Sequence, residues 1–537
     1  MARFTVLRQD PTSVARPRRR GLILFALCLA AYILSVDVTI VNVALPTIVR
    51  RLGATTTDLQ WIVDAYSLVF AALVLAAGSL GDRLGRKNTL LAGLGVFAVA
   101  SLAGSLCQTA HELIAARAVM GLGAALIFPA TLSLLANVFT ERTERARAIG
   151  FWGATTGIGL ATGPIVGGWL LEHYWWGSVF LSLVPVAAVI AGLIAWAVPP
   201  SRDPAAPPLD WRGFLLSSAG MAVLVLSVIE APDWGWGSVR TLSAMAGGVA
   251  LLAAFVAAER RISQPMLDVD LFRNPRFTAA SGSVTVAFFA LQGFVFLITQ
   301  YFQFVKGYTP LGTGVRLLPV AASLAIGAVL GTRLAVRAGN KAVVGAGLLL
   351  FSAGLLWSAT GSGTTSYAVI AAQMVALGAG MGLTSAPATE AIMGVVAKEK
   401  AGVGSAVNDA TRLFGGTLGV AVIGSVSASL YTERLAATLP ASLPPAAVTA
   451  ARGSVGGALI AAHSIAQAGL AQPAQRLSDV ATAAFLHSLT GGCLVAGAVA
   501  AAGAVLALAL LPARPGVSGA SSSPETAGEL ESNASAA

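Results

Sequence analysis

Charge is what this chain has least of. Only 11% of its 537 residues are Asp, Glu, Lys or Arg, where a soluble domain carries about 25%. So little solubilising surface excludes a soluble globular enzyme, a disordered scaffold and a nucleic-acid binder. Cysteine and histidine are also scarce. Three cysteines (Cys28, Cys107, Cys493), each in or beside an apolar run, offer no disulfide framework or metal cluster. Four scattered histidines (His111, His173, His463, His487) offer no zinc site. The patterns G-x-x-x-x-G-K-[ST] and G-x-S-x-G are both missing, so nothing points to a P-loop ATPase or a serine hydrolase. What the chain has instead is apolar length, with 56% hydrophobic residues and a mean hydropathy of +0.78. It reads as an all-α polytopic membrane protein with no cofactor, whose work draws on energy other than ATP bound here.

A spanning helix needs about 20 mostly apolar residues. Fourteen stretches qualify, at roughly 22–45, 59–80, 88–107, 112–137, 147–171, 178–198, 212–230, 241–258, 277–300, 313–332, 342–360, 367–394, 402–430 and 483–511. With the N-terminus inside, 24 Lys and Arg fall in inner segments and 8 in outer loops, while Arg117 and Arg412 lie within spans. This excess obeys the positive-inside rule and puts both termini in the cytoplasm of a cell-membrane protein. The net charge of +10 is then topology, with anionic headgroups as neighbours.

The Arg-rich leader 1–21 resembles a signal peptide, but its apolar run is too long and carries Asp37 and Asn42, so it reads as a retained first helix. Composition then divides the chain into a six-helix half at 22–200, linkers with two extra helices at 201–276, a second six-helix half at 277–512, and a disordered tail at 513–537. The second half includes a Pro-broken outer loop at 431–479, expected to form a hairpin or short helices. A faint repeat links the halves: Gly81-Asp82-Arg83-Leu84 before Gly85, and Gly331-Thr332-Arg333-Leu334 before Gly339. Repeated halves mark secondary transporters, whose sites lie between the repeats near mid-membrane.

Charged residues inside spans each cost about 2.5–3.5 kcal/mol and tend to face a cavity. Counted from the outer helix ends, Asp37 lies about 12 Å deep, and Arg117 and Asp64 about 8 Å. All three fit one outer-half cavity. The plainer readings are a structural Asp37–Arg117 ion pair and, for Asp64, an interfacial carboxylate reaching water. Asp409 lies about 13 Å from the inner face, and Arg412 at i+3 is placed to neutralise it. Glu390 is close enough to its inner helix end to snorkel. Trp61, Tyr66, Phe288 and Phe289 either line a cavity or pack. On the fifth span, Gly153, Gly157, Gly163 and Gly167 form two small-xxx-small pairs suited to close helix approach, with Pro164 as a kink.

Between the second and third spans stand Gly78, Asp82, Arg83, Gly85, Arg86 and Lys87. They form either a short basic loop or something more specific, since the stretch resembles the cytoplasmic loop signature of the major facilitator superfamily. That resemblance implies two six-helix halves, here with two extra central helices, and a latch between Asp82 and the arginines that holds the inner side closed. Thr332 replaces the acid in the second half.

Other blocks resemble the fourteen-spanner drug:proton antiporter branch. They include Asp37 to Pro46 with Asn42, Leu113 to Ala125 with Arg117, and Gly157 to Gly168 with Gly163, Pro164, Gly167 and Gly168. Further matches are Trp61 with Tyr66, Asp210 to Gly213, Leu271 to Phe277, Tyr301 to Pro319 and Ala386 to Ser425. Met120 stands where Gln is usual, and Trp175-Trp176-Gly177 replaces a usual Trp-Arg-Trp. The resemblance implies a monomeric exporter of lipophilic, often cationic, small molecules, driven by the proton gradient. Asp37, Arg117, Asp64, Asp409, Glu390 and Asn42 are its candidate coupling or substrate residues, and the Gly157–Gly168 helix would prevent leak. The competing readings are a dedicated exporter of one metabolite and a membrane sensor that does not transport.

Overall fold

The computed structural model describes residues 17–201, 210–262, 265, 267–396, 401–439 and 443–511. Residues 1–16, 202–209 and 512–537 lie outside it, and with them most of the leader, the Pro-rich linker and the tail. Fourteen helices are long and apolar enough to cross a membrane. They are α1 (Pro17–Leu52), α2 (Thr56–Leu84), α3 (Arg86–Leu106), α4 (Ala110–Val138), α5 (Arg142–His173), α6 (Ser178–Ala197), α7 (Trp211–Ile229) and α8 (Val239–Glu259), followed by α9 (Pro275–Val305), α10 (Pro310–Ala338), α11 (Asn340–Ser358), α12 (Tyr367–Met393), α13 (Ala401–Thr438) and, after two short helices, α16 (Ala471–Leu510). Among the described residues there is no strand.

Local chemistry sets the boundaries. Thr55 caps α2 and Thr109 caps α4, each in a reciprocal pair with the acid three residues on, Asp58 and Glu112. Glu141 caps α5, and hydrogen bonds from Thr143 and Glu144 hold its carboxyl below the usual range. Gly85 (φ 106°) parts α2 from α3, and Gly339 (φ 83°) parts α10 from α11. Both turns need a backbone conformation that favours glycine, so the faint repeat in the sequence is a repeated turn in the structure.

Helices α13 and α16 run further than their apolar cores, and the expected loop shrinks to 439–470. It holds α14 (Pro445–Gly453) and α15 (Val455–Gln467). Tyr431 Oη donates to Ala451 O at 2.8 Å, and Thr56 Oγ1 to Gly453 O at 3.2 Å, so this hairpin touches both parts of the molecule.

Helices α1–α6 form one bundle, and α9–α13 with α16 a second. They meet along two seams, α2 against α13 and α5 against α10. The inserted α7 lies over the first seam. Its Met221, Val225, Val228 and Ile229 pack with Leu68 and Ala71 of α2 and Ala421 of α13. Trp61 Nε1 donates to Glu230 Oε1 at 3.0 Å, and Trp236 Nε1 to Ser429 Oγ at 2.9 Å, which ties the insert to both bundles. Helix α8 packs along α7 at the rim.

Between the bundles, the hydrogen bonds among the described residues lie in the half remote from residues 17 and 511. Gln303 Nε2 donates to Val43 O at 2.9 Å, Gln60 Nε2 to Ala421 O at 3.0 Å, and Leu311 N to Glu172 Oε1 at 3.2 Å. The face opposite the termini is closed.

Helix α5 departs from its expected pattern of two glycine pairs. Gly163 and Gly167 do pack, against Val36, Thr39 and Ile40 of α1, and Gly168 against the Leu311 backbone of α10. The carbonyl of Pro164 meets Gly314 of α10. Gly153 and Gly157, by contrast, have nothing within 4 Å of an added Cβ. The first pair therefore packs against no helix, because the bundles diverge toward the terminal face. A Gly168→Val substitution should lower the melting temperature of the purified protein by several degrees, whereas Gly157→Val should leave it unchanged. Thermal unfolding of both variants in detergent checks this.

Candidate functional site

Asp37 on α1 and Arg117 on α4 are 0% and 1% exposed. Arg117 Nη1 donates to both Asp37 carboxylate oxygens, at 2.9 and 2.8 Å, and its Nε donates to Ile62 O on α2 at 3.1 Å. Its guanidinium also lies 4.3 Å from the Tyr66 ring centroid. Helix α2 thus supplies a carbonyl and an aromatic face from residues four apart, which share one side of a helix. Gly121 allows this approach, since any side chain there would strike the Tyr66 backbone. Met120 Sδ sits 3.9 Å from Nη1. Asn42 is 3% exposed and donates to Val38 O of its own helix at 3.1 Å, and among the described residues it is not bonded to the pair.

Asp64 does not join them. At about 100° per residue, it points about 160° away from Ile62 and Tyr66. It lies one turn from Gln60, whose amide donates to Ala421 O and Ser425 Oγ of α13 at 3.0 and 3.1 Å. It therefore faces the seam, level with Thr417, because the two helices run antiparallel. Asp64 is 0% exposed, and among the described residues neither of its carboxylate oxygens has a hydrogen-bond partner. Gln60 Oε1 and Thr417 Oγ1 are buried and unpartnered in the same way. An interfacial carboxylate reaching water is thus the wrong reading of Asp64, and the three-residue cavity reduces to a pair plus a seam residue.

In the second bundle, Arg412 makes no ion pair with Asp409 among the described residues. Its Nη2 donates to Thr389 Oγ1 at 3.0 Å, and its guanidinium lies 5.4 Å from the Phe288 ring centroid. Helix packing directs the long side chain to α12 and α9, so Arg412 acts on Asp409 through its charge and not through a direct bond. Asp409 is half-buried, and Glu390 is exposed near the end of α12.

At the terminal face Asp82 Oδ1 accepts from Arg86 Nε at 2.7 Å, across the Gly85 turn. Lys87 Nζ donates to Ala195 O at 2.8 Å, and Arg86 N to Ser201 O at 2.9 Å. Arg83 is exposed, and a Cβ added at Gly78 would meet Pro129 Cβ at 3.7 Å, ordinary contact. These bonds stay within the first bundle and the segment that leaves it.

Gln60 and Gln303 carry hydrogen bonds between the bundles, yet neither carries the charge that drew attention to Asp64. Uncharged amides in apolar runs were the available signal.

Breaking a buried ion pair by removing one partner costs about 3–5 kcal/mol. Arg117→Met should therefore lower the melting temperature sharply, while the double variant Asp37→Leu/Arg117→Met should recover much of the loss. Paired unfolding curves in detergent read both.

Comparison with known proteins agrees with this architecture. The chain is 36% identical to the Multidrug efflux pump LfrA of Mycolicibacterium smegmatis, over 94% of its own length and 99% of the relative's. It is 33% identical to the Tetracenomycin C resistance and export protein of Streptomyces glaucescens, over 95% and 96%. The crystal structure of a bacterial homologue of the human lysosomal transporter Spinster, inward-facing and unoccupied, shares the fold. Its TM-score is 0.65 at 16% identity, with 93% of this chain and 98% of that one covered. The Major Facilitator Superfamily model matches residues 27–420. The chain is a multi-pass membrane transporter, and it belongs to the Major Facilitator Superfamily.

Proposed function

We propose that this transporter, acting as a monomer and without a cofactor, exports lipophilic, often cationic, drugs across the cell membrane in exchange for protons by alternating access. The names of its relatives support drug export. The distribution of Lys and Arg supports a cytoplasmic terminal face, so the closed far face makes this an inward-facing state.

The observation that carries the coupling is the pairing of one buried acid with a cation and the isolation of another. Asp37 is held by Arg117 within the first bundle. Asp64 sits unpartnered in a closed seam between the bundles. An ionised carboxylate there would bear the full burial penalty, so the seam closes on the neutral acid. Outward opening exposes Asp64, ionised since it gave up its proton on the inner side, to outer water. A proton from outside neutralises it there, and the outer side closes on the neutral acid behind the departed drug. Release of that proton to the inside while the inner side is open, before drug drives the next outward turn, completes one proton in for one drug out. Withdrawal of Arg117 would free Asp37 to hold a proton in its turn. Asp409 and Glu390 supply negative charge on the inner side for a cationic substrate. The stretch Gly78–Lys87 acts as the cytoplasmic gate when the bundles meet on that face, with Arg86 handing Asp82 to a partner across the gap.

A second reading, export of a single antibiotic, is favoured by the Streptomyces relative, which its name assigns to tetracenomycin C. Growth inhibition across unrelated toxic compounds separates the two, since broad protection requires a broad pocket.

Drug-induced proton release in proteoliposomes tests the coupling. Asp37→Asn should abolish uphill export while still allowing downhill exchange, and Asp37→Glu should keep part of it. If Asp37→Asn still concentrates drug, Asp37 takes no part, and coupling rests on Asp64 alone or with Asp409. Asp82→Asn should cut turnover severalfold with substrate affinity nearly intact, as measured by transport against binding at equal abundance.

A further inference from the structure

Where the second inserted helix leaves the membrane, the terminal face carries a hollow of 340 Å³. Val256, Arg260, Leu267, Val269, Phe272 and Arg273 line it. Two of its walls are tied down. Glu259, 2% exposed at the end of α8, accepts from Leu267 N at 3.0 Å and holds Leu267 against the helix. Thr278 Oγ1 donates to Phe272 O at 2.5 Å, and the Phe272 ring meets Phe277 edge-on with centroids 5.1 Å apart. Val269 is 8% exposed. The short 3₁₀ turn Val269–Arg273 is thereby anchored to the start of α9.

The depth of the hollow is set by the spans on either side. The α8 span ends at Glu259 and the α9 span begins at Pro275. Arg260 and Arg273 therefore stand at headgroup level, while Val256 lies one turn inside the apolar layer. Helix α8 packs along α7, and the 260–274 connection joins it to α9, so the hollow sits at the rim of the molecule beside the lipid. Both guanidiniums are exposed. Asp268 stands just before the 3₁₀ turn and Asp270 within it. Arg273 Nε reaches Asp270 Oδ1 at 3.4 Å with both side chains more than half exposed, and such surface pairs are weak.

We propose that this hollow binds an anionic phospholipid of the adjoining leaflet, with its phosphate between Arg260 and Arg273 and one acyl chain over Val256 and Phe272. Planar guanidinium forks match phosphate oxygens, and basic pockets beside spanning helices hold anionic headgroups. Only the assignment to the inner leaflet rests on the proposed orientation. The site itself requires neither export nor proton coupling.

Native mass spectrometry of the full chain in detergent tests it, with phosphatidylglycerol or phosphatidylcholine of the same acyl chains as titrant. One phosphatidylglycerol should bind in preference to phosphatidylcholine. Each of Arg260→Gln and Arg273→Gln should weaken binding about fivefold, and the pair about thirtyfold. Arg337→Gln, an exposed arginine elsewhere on the same face, should have no effect. Val256→Trp, which fills the hollow with both arginines in place, should remove the preference by itself. Equal binding of the two lipids overturns the proposal, as does full phosphatidylglycerol affinity in either the double variant or Val256→Trp.

Discussion

A charge placed in hydrocarbon must find a partner or give up its charge, and this transporter is organised around two answers to that demand. Arg117 is the largest fully buried side chain among the described residues. It reaches α1 through Asp37 and α2 through the Ile62 carbonyl and the Tyr66 ring, so one side chain gathers three helices at a point. A buried pair of this kind contributes little net stability, yet it fixes geometry because leaving either charge without the other is far worse. Asp64 is the other answer, a carboxylate in the same helix with no counter-charge in reach of a hydrogen bond.

The division of labour between these two acids follows from where the molecule must move. The ion pair lies wholly within the first bundle, which can turn as a body without disturbing it. The seams between the bundles rest chiefly on amides, hydroxyls and backbone carbonyls, as at Gln60, Gln303 and Thr56. Each such bond is worth about 0.5–1.5 kcal/mol net, small enough to exchange for water on opening. A buried ion pair across a seam would weld it.

Much of this was legible in the sequence because bilayer thickness dictates helix length. All fourteen apolar runs are helices, and the acid and the base at positions 37 and 117 meet although 80 residues separate them. Depth counting succeeded there because both lie on helices that start or end at the same face. It failed for Asp64, since depth says nothing about direction around a helix, and direction depends on which face of α2 meets α4. The open Gly153 and Gly157 misled for a related reason. Small residues permit close approach, but the divergence of the bundles leaves nothing to approach. At Arg412 tertiary packing takes the direct contacts to Thr389 and Phe288 and leaves Asp409 only the charge at i+3. Cross-seam amides are a weaker signal, because glutamine in an apolar run carries no charge to mark it.

The inserted helix α7 covers the seam between α2 and α13, and among the described residues no helix covers the seam between α5 and α10. Two bundles related by a repeat would otherwise present two equivalent flanks to the bilayer. Here one flank is roofed, and the other meets acyl chains directly along the glycine-lined stretch of α5. The transporter has a front and a back. A compound dissolved in the membrane and a compound dissolved in water do not face the same molecule, because only the water-borne one can approach it from every side of the open face.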